Sequence, residues 1–154
     1  MIKVLNIYAG NLFGGIEVLL LSLANKEISL ESMIFHFALC FEGKLANELR
    51  SIDASKVDIL GNVKISRPWT VIRARQKLKE LLEREKFDGV ICHSCWPQAI
   101  FGPIVRDSGL PLIFWCHDTP NGTHFLERLA KRVRPNLVIA NSLYTLEALS
   151  LIHI

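Results

Sequence analysis

No window of the sequence holds the ~18 to 20 uncharged apolar residues that a helix needs to cross a bilayer, so a membrane span is not expected. Charge of one sign is equally scarce. Eighteen Lys and Arg against fifteen Asp and Glu leave a net charge of +3, too small an excess for a general nucleic-acid binder. Aromatic residues make up only 8% and do not alternate with the basic ones, which argues against a stacking platform for single-stranded nucleic acid. The four cysteines, Cys40, Cys92, Cys95 and Cys116, lie in or beside apolar runs, where a reduced thiol behaves as a small hydrophobe. That pattern predicts a cytoplasmic protein without a disulfide framework. One Cys-x2-Cys pair is present and a second is missing, and strand alternation turns Cys92 from His93 and Cys116 from His117, so no metal site is expected. The amino-terminal MIKVLNIYAGN turns polar after nine residues and has no small-residue cleavage site, unlike a signal peptide. Internal repeats and linkers are also missing.

What remains is a chain of 154 residues, 50% hydrophobic and 21% charged, enough for one domain with a sizeable core. Apolar runs at 2–9, 33–41, 56–60, 88–93, 111–117 and 137–140 read as strands. Helical spacing predicts helices from Ile16 through Ile28, over 44–52, 69–86, 97–107 and 123–134, and after Asn141. In the long one, Ile72, Leu78, Leu81 and Leu82 are expected to form the packed side. Solid apolar strands separated by helices imply a mostly parallel sheet covered on both faces, and right-handed crossovers make it an α/β doubly wound fold. The apolar ending LIHI suggests a last element whose packing partner lies further along.

In such a sheet, ligands bind beyond the carboxyl ends of the strands, where loops and helix N-termini converge. Gly14 and Gly15 there precede an apolar helix and can offer backbone N–H groups to a phosphate; the alternative is a turn that merely lets the helix pack closely. The GNLFGG run has no P-loop lysine and misses the dinucleotide spacing GxGxxG. Glu17, one turn into the helix, fits either a charge partner for the helix N-terminus or a ligand-hydroxyl contact. His93 and His117 end two strands, and an imidazole at either position suits a hydroxyl-activating base or a substrate-locating hydrogen bond. Asp118 follows His117, but adjacency alone does not make it the group that orients the ring. Ser142 suits an N-cap.

Between Arg67 and Lys86 the net charge is +4, with Trp69 near the start. The stretch reads as a solvated helix face or as a surface for an anionic lipid or acceptor, which would set the protein against the inner face of a membrane. Basic residues at 128, 131, 132 and 134 extend that surface if folding brings them alongside.

Taken together, MIKVLNIYAGNLFGGIEVLLLSLA, FDGVICHS, PLIFWCHD and LVIANS with Thr145 after it resemble the N-terminal domain of the retaining two-domain glycosyltransferases, the family 4-like group that includes sucrose, lipopolysaccharide and phosphatidylinositol sugar transferases. The resemblance covers nearly the whole chain. It implies a Rossmann-like N-terminal half of a GT-B architecture, one domain over 1–154, with the donor-binding domain absent and the C-terminus truncated. The inherited chemistry would be transfer of a sugar from a nucleotide-diphosphate sugar to an acceptor hydroxyl, with no separate cofactor and with this half inactive alone. The resemblance also puts Gly14 and Gly15 near the donor diphosphate, with Glu17 behind them. It puts His117 against the transferred sugar, His93 and Asp118 in the acceptor region, and Asn141 and Ser142 in the cleft wall.

Two other readings stand beside it. A non-catalytic remnant or binding module would keep the fold without the reaction. A dinucleotide-dependent oxidoreductase would use Gly15 with the acidic Glu42 at the end of the second strand, on a glycine spacing that does not match.

Overall fold

The computed structural model describes residues 1–10, 13–25, 32–52 and 56–151. Asn11 and Leu12 of the glycine turn, the expected extension of the first helix through Lys26, Glu27 and Ile28, and the tail from Ile152 lie outside the described residues. Strands and helices alternate throughout: β1 Ile2–Tyr8, α1 Gly15–Ala24, β2 Met33–Leu39, α2 Lys44–Arg50, β3 Lys56–Ile59, α3 Pro68–Arg84, β4 Gly89–His93, α4 Cys95–Asp107, β5 Leu112–Cys116, α5 Phe125–Lys131, β6 Leu137–Ala140 and α6 Leu143–Leu151. All neighbouring strands pair in parallel, in the order β3-β2-β1-β4-β5-β6. The order reverses between β1 and β4, so a crevice opens at their carboxyl ends.

Both faces of the central strands are buried, which is why their apolar residues run on instead of alternating. On one face Leu5, Ile7, Val90, Cys92 and Leu112 pack with Ala74, Leu78 and Leu81 of α3 and with Ile100, Phe101 and Val105 of α4. On the other, Tyr8, Phe37 and Leu39 pack with Leu20 of α1 and with Leu45, Ala46 and Leu49 of α2. Each fully buried Leu, Ile or Phe contributes roughly 1.5–3 kcal/mol relative to exposure, and these layers fix the height of every strand end.

The helix faces differ in detail from the sequence-based expectation. Ile72 is 67% exposed, and Ala74 takes its place in the buried row with Leu78 and Leu81. Spacings of four and three keep those residues on one stripe, while Ile72 starts the adjacent row. In α1, Glu17 lies in the buried row with Leu20 and Ala24, and Ile16, Leu19 and Leu23 are only half-buried. Helix α5 covers only Phe125–Lys131, shorter than 123–134, because His124 caps it through Nδ1, which accepts from the Leu126 N–H at 3.3 Å.

Candidate functional site

Helix α1 begins beneath a compact polar clamp. Glu17 is 3% exposed; one carboxylate oxygen accepts the Tyr8 hydroxyl, and the other accepts the Gly14 N–H at 2.8 Å. Residue N3 thus reaches back to the N-cap backbone, the carboxylate half of a capping box. Glu17 makes the contact of a charge partner to the helix end, and it also lines the larger of two hollows at this edge of the sheet. Burial, followed by the hydrogen bond and charge of Glu17, pushes the Tyr8 phenol well above its ordinary range, so it remains a neutral donor. Tyr8 also folds back over Gly10, where an added Cβ would lie 2.0 Å from its hydroxyl, so only glycine fits. Gly14 therefore spends its N–H internally. Gly15 meets nothing within 4 Å of a built Cβ and is the open member of the pair.

The strand ends beyond the crevice carry a continuous hydrogen-bonded row. His93 is completely buried, and its Nε2 lies 3.0 Å from Asn6 Oδ1 on β1. Its Nδ1 lies 2.9 Å from His117 Nε2, just past β5. His117 Nδ1 lies 3.1 Å from Asn141 Nδ2, just past β6, and Asn141 Oδ1 accepts the Trp115 indole N–H at 2.7 Å. The row follows the strand order β1-β4-β5-β6, one polar side chain per strand. The rings of His93, Trp115 and His117 stack, with centroids 5.2–5.5 Å apart and interplanar angles of 16–28°. Burial, then the charge of His117, pushes His93 down to about 3. Burial also lowers His117, against the opposing pull of Asp118.

Two adjoining hollows share Tyr8, Ile16 and Asp118. One, about 630 Å³, is lined by Gly14, Gly15, Trp115, His117 and Asn141; the other, about 300 Å³, runs past Gly10, His93, Ser94 and Glu127. Most of the residues singled out in the sequence thus meet at one edge. Ser142 caps α6 by accepting the Thr145 N–H at 3.1 Å. Glu42 instead forms a two-pronged ion pair with the Arg50 guanidinium at 2.8 and 3.0 Å. Asn6 and Trp115 escaped the sequence reading. The signal for Asn6 was a single amide inside the first apolar run, and such a group, once buried, needs a partner.

The two basic segments do converge. Arg75 of α3, Arg106 at the end of α4, and Arg132 and Arg134 after α5 line a groove of about 600 Å³. Trp69 is 54% exposed at the start of α3. Among the described residues no helix is long and apolar enough to cross a membrane.

The all-parallel sheet is Rossmann-like, and its likeness to solved structures makes it the N-terminal half of a GT-B fold. The chain matches Glycosyltransferase Family 4 over residues 13–153 and belongs to that family. Among solved structures it is similar to Anabaena Alr3699/HepE in complex with UDP-glucose, at 19% identity and a TM-score of 0.71, covering 99% of this chain and 41% of that one. It is also similar to MurG of Acinetobacter baumannii, at 15% identity and a TM-score of 0.69, covering 91% and 41%. The UDP-N-acetylglucosamine 2-epimerase of Rickettsia bellii matches at 17% identity and a TM-score of 0.64, covering 98% and 42%. The chain therefore spans about two fifths of the length of each of these proteins. A search of curated proteins finds no match.

Proposed function

We propose that the chain is the acceptor-side domain of a glycosyltransferase. Joined to a donor-binding domain, it would help move a sugar from a nucleotide-diphosphate sugar to an acceptor hydroxyl; alone it would be inactive. The observation that carries this reading is the meeting of His117, Asn141 and the open Gly15 end of α1 around one hollow of about 630 Å³. In this reading Gly15 and the positive end of α1 face the donor diphosphate. His117 faces the transferred sugar, and His93 supports it from behind. Asp118 borders both hollows on the acceptor side. The domain contributes alignment and fixed dipoles in place of a covalent intermediate. The test is calorimetric titration of nucleotide sugars into the chain alone and into the chain joined to a donor-binding domain. Binding by the joined protein only is expected; equally tight binding by both would return the chain to the class of self-contained binding modules.

If Gly15 approaches phosphate, Gly15→Val should weaken donor binding in the joined protein about tenfold, roughly 1.4 kcal/mol. The space around Gly15 leaves the unliganded fold intact. Unchanged affinity, measured by calorimetry, would confine the glycines to a structural role.

We also propose that the protein is cytoplasmic and meets the inner face of an anionic membrane through α3. Exposed Trp69 and Ile72 supply apolar contact, and the arginine groove supplies charge. Each basic residue near such a surface contributes about 1 kcal/mol, so Arg132→Glu with Arg134→Glu, both in the groove, should lower binding to anionic vesicles more than tenfold at low salt, less as salt rises. Co-sedimentation with neutral and anionic vesicles checks this. The same anionic preference in both proteins would reject the surface.

A further inference from the structure

The row of hydrogen bonds at the sheet edge has a single possible direction. An indole N–H can only donate, so Asn141 Oδ1 accepts from Trp115 and its Nδ2 is left to face His117 Nδ1 as a donor. His117 Nδ1 must then be unprotonated, and the ring's one proton sits on Nε2, donated to His93 Nδ1. By the same logic His93 carries its proton on Nε2 and donates it to Asn6 Oδ1. Asn6 Nδ2 in turn points toward the His36 carbonyl oxygen at 3.5 Å. A proton added to His117 Nδ1 would meet an amide N–H, and rotating that amide would set its other N–H against the Trp115 indole.

We propose that Trp115, Asn141 and Asn6 are positioning residues that hold His117 and His93 as a neutral pair in one tautomer, and that Asn141 Nδ2 is the hydrogen-bond donor this wall offers to a ligand oxygen. The first part follows from the direction of the row. The second follows from counting. Both nitrogens of His117 are committed, whereas Asn141 Nδ2 carries two hydrogens and the row uses one. Asn141 is exposed and lines the hollow beside Gly15. The inference deepens the acceptor-side reading and rests on it for the identity of the ligand: an oxygen of a sugar or of its leaving phosphate. In that setting His117 serves as a rigid uncharged wall and exchanges no proton.

Several titratable groups face the pair. Asp118 adjoins His117, and Tyr8 of β1 and Glu17 of α1 lie across the larger hollow. Beside His93 the smaller hollow presents Cys95 of α4 with His124 and Glu127 at α5. Asp118 is the one whose charge favours an imidazolium at His117, and burial outweighs it.

Long-range ¹⁵N–¹H spectra of the 154-residue chain read the tautomers directly. In the wild type both rings are expected to show an unprotonated Nδ1 and a protonated Nε2 at neutral pH, with His117 titrating below the ordinary histidine range. Asn141→Asp places a carboxylate that accepts from both Trp115 and His117 Nδ1. It should draw a proton onto that nitrogen and raise the His117 midpoint by about 1 unit or more, at least tenfold in proton affinity. A wild-type His117 that carries its proton on Nδ1, that titrates in the ordinary histidine range, or that ignores the Asp substitution would overturn the proposal. In the joined protein, Asn141→Leu should raise KM for the nucleotide sugar or the acceptor severalfold, and Asn141→Gln should recover part of it; unchanged KM for both would remove Asn141 as a ligand contact. Because the spectra need no substrate, they judge the tautomer lock whatever the transfer assay finds.

Discussion

Acidification from pH 7 to pH 4 is expected to destabilise the fold by about 3 kcal/mol through His93 alone. Its folded value is pushed down to about 3, first by burial and then by the charge of His117, whereas an unfolded histidine titrates near 6.5. Between those values the unfolded chain binds the proton and the folded chain does not. The contribution is therefore fully present above pH 6.5 and is lost as pH falls through the window toward 3. Burial lowers His36 too, opposed by Asp58, so the same sign is expected there with a smaller effect. Urea denaturation at half-unit steps from pH 4 to pH 8 gives the slope. His93→Gln, which retains one donor and one acceptor for Asn6 and His117, should flatten most of it. If wild type and variant show the same slope, His93 is not held neutral by the fold.

Truncating the clamp at α1 is expected to cost about as much. Glu17→Ala removes the acceptor of the Tyr8 hydroxyl and of the Gly14 N–H, leaving the largely buried phenol without a partner. Hydrogen bonds to a charged group contribute about 1.5–3 kcal/mol each, and part of that returns through water at the exposed Gly14, so a loss of about 3 kcal/mol is expected. Glu17→Gln should cost less, since its amide oxygen can still accept from Tyr8. Equilibrium unfolding at pH 7 measures both variants. A loss below about 0.5 kcal/mol for Glu17→Ala would mean that the clamp contributes nothing beyond helix propensity.

The sheet was legible because parallel strands buried on both faces leave unbroken apolar runs, and all six stand within two residues of where those runs begin and end. Helix faces were less legible. Ile72 and Ala74 are both apolar and two positions apart, and only the docking angle of α3 decides which of them turns inward. At the site, positions after strands could be read from order alone, and so His93, His117 and Asn141 stood out. Their partners could not. Asn6 meets His93 because β4 lies against β1, with Asn6 opposite Ile91 in the pairing register, 85 residues along the chain, and local sequence carries no sign of that adjacency. Glu17 is similar: nine residues separate it from Tyr8, and the contact depends on the chain turning sharply between strand and helix. Trp115 looked like one more apolar strand residue, and its indole N–H acquires meaning only beside Asn141.

The central claim is that this chain supplies the acceptor wall of a glycosyltransferase and needs a donor-binding half. The most direct measurement is sugar transfer, assayed over a panel of nucleotide sugars and hydroxyl acceptors. It compares the verified monomer of this chain, the chain joined to a donor-binding domain, and the joined protein carrying His117→Ala. The account predicts no turnover by the chain alone, turnover by the joined protein, and a fall of about 100-fold on removing the positioned ring. Turnover by the isolated monomer, or a His117→Ala protein as fast as its parent, would contradict it.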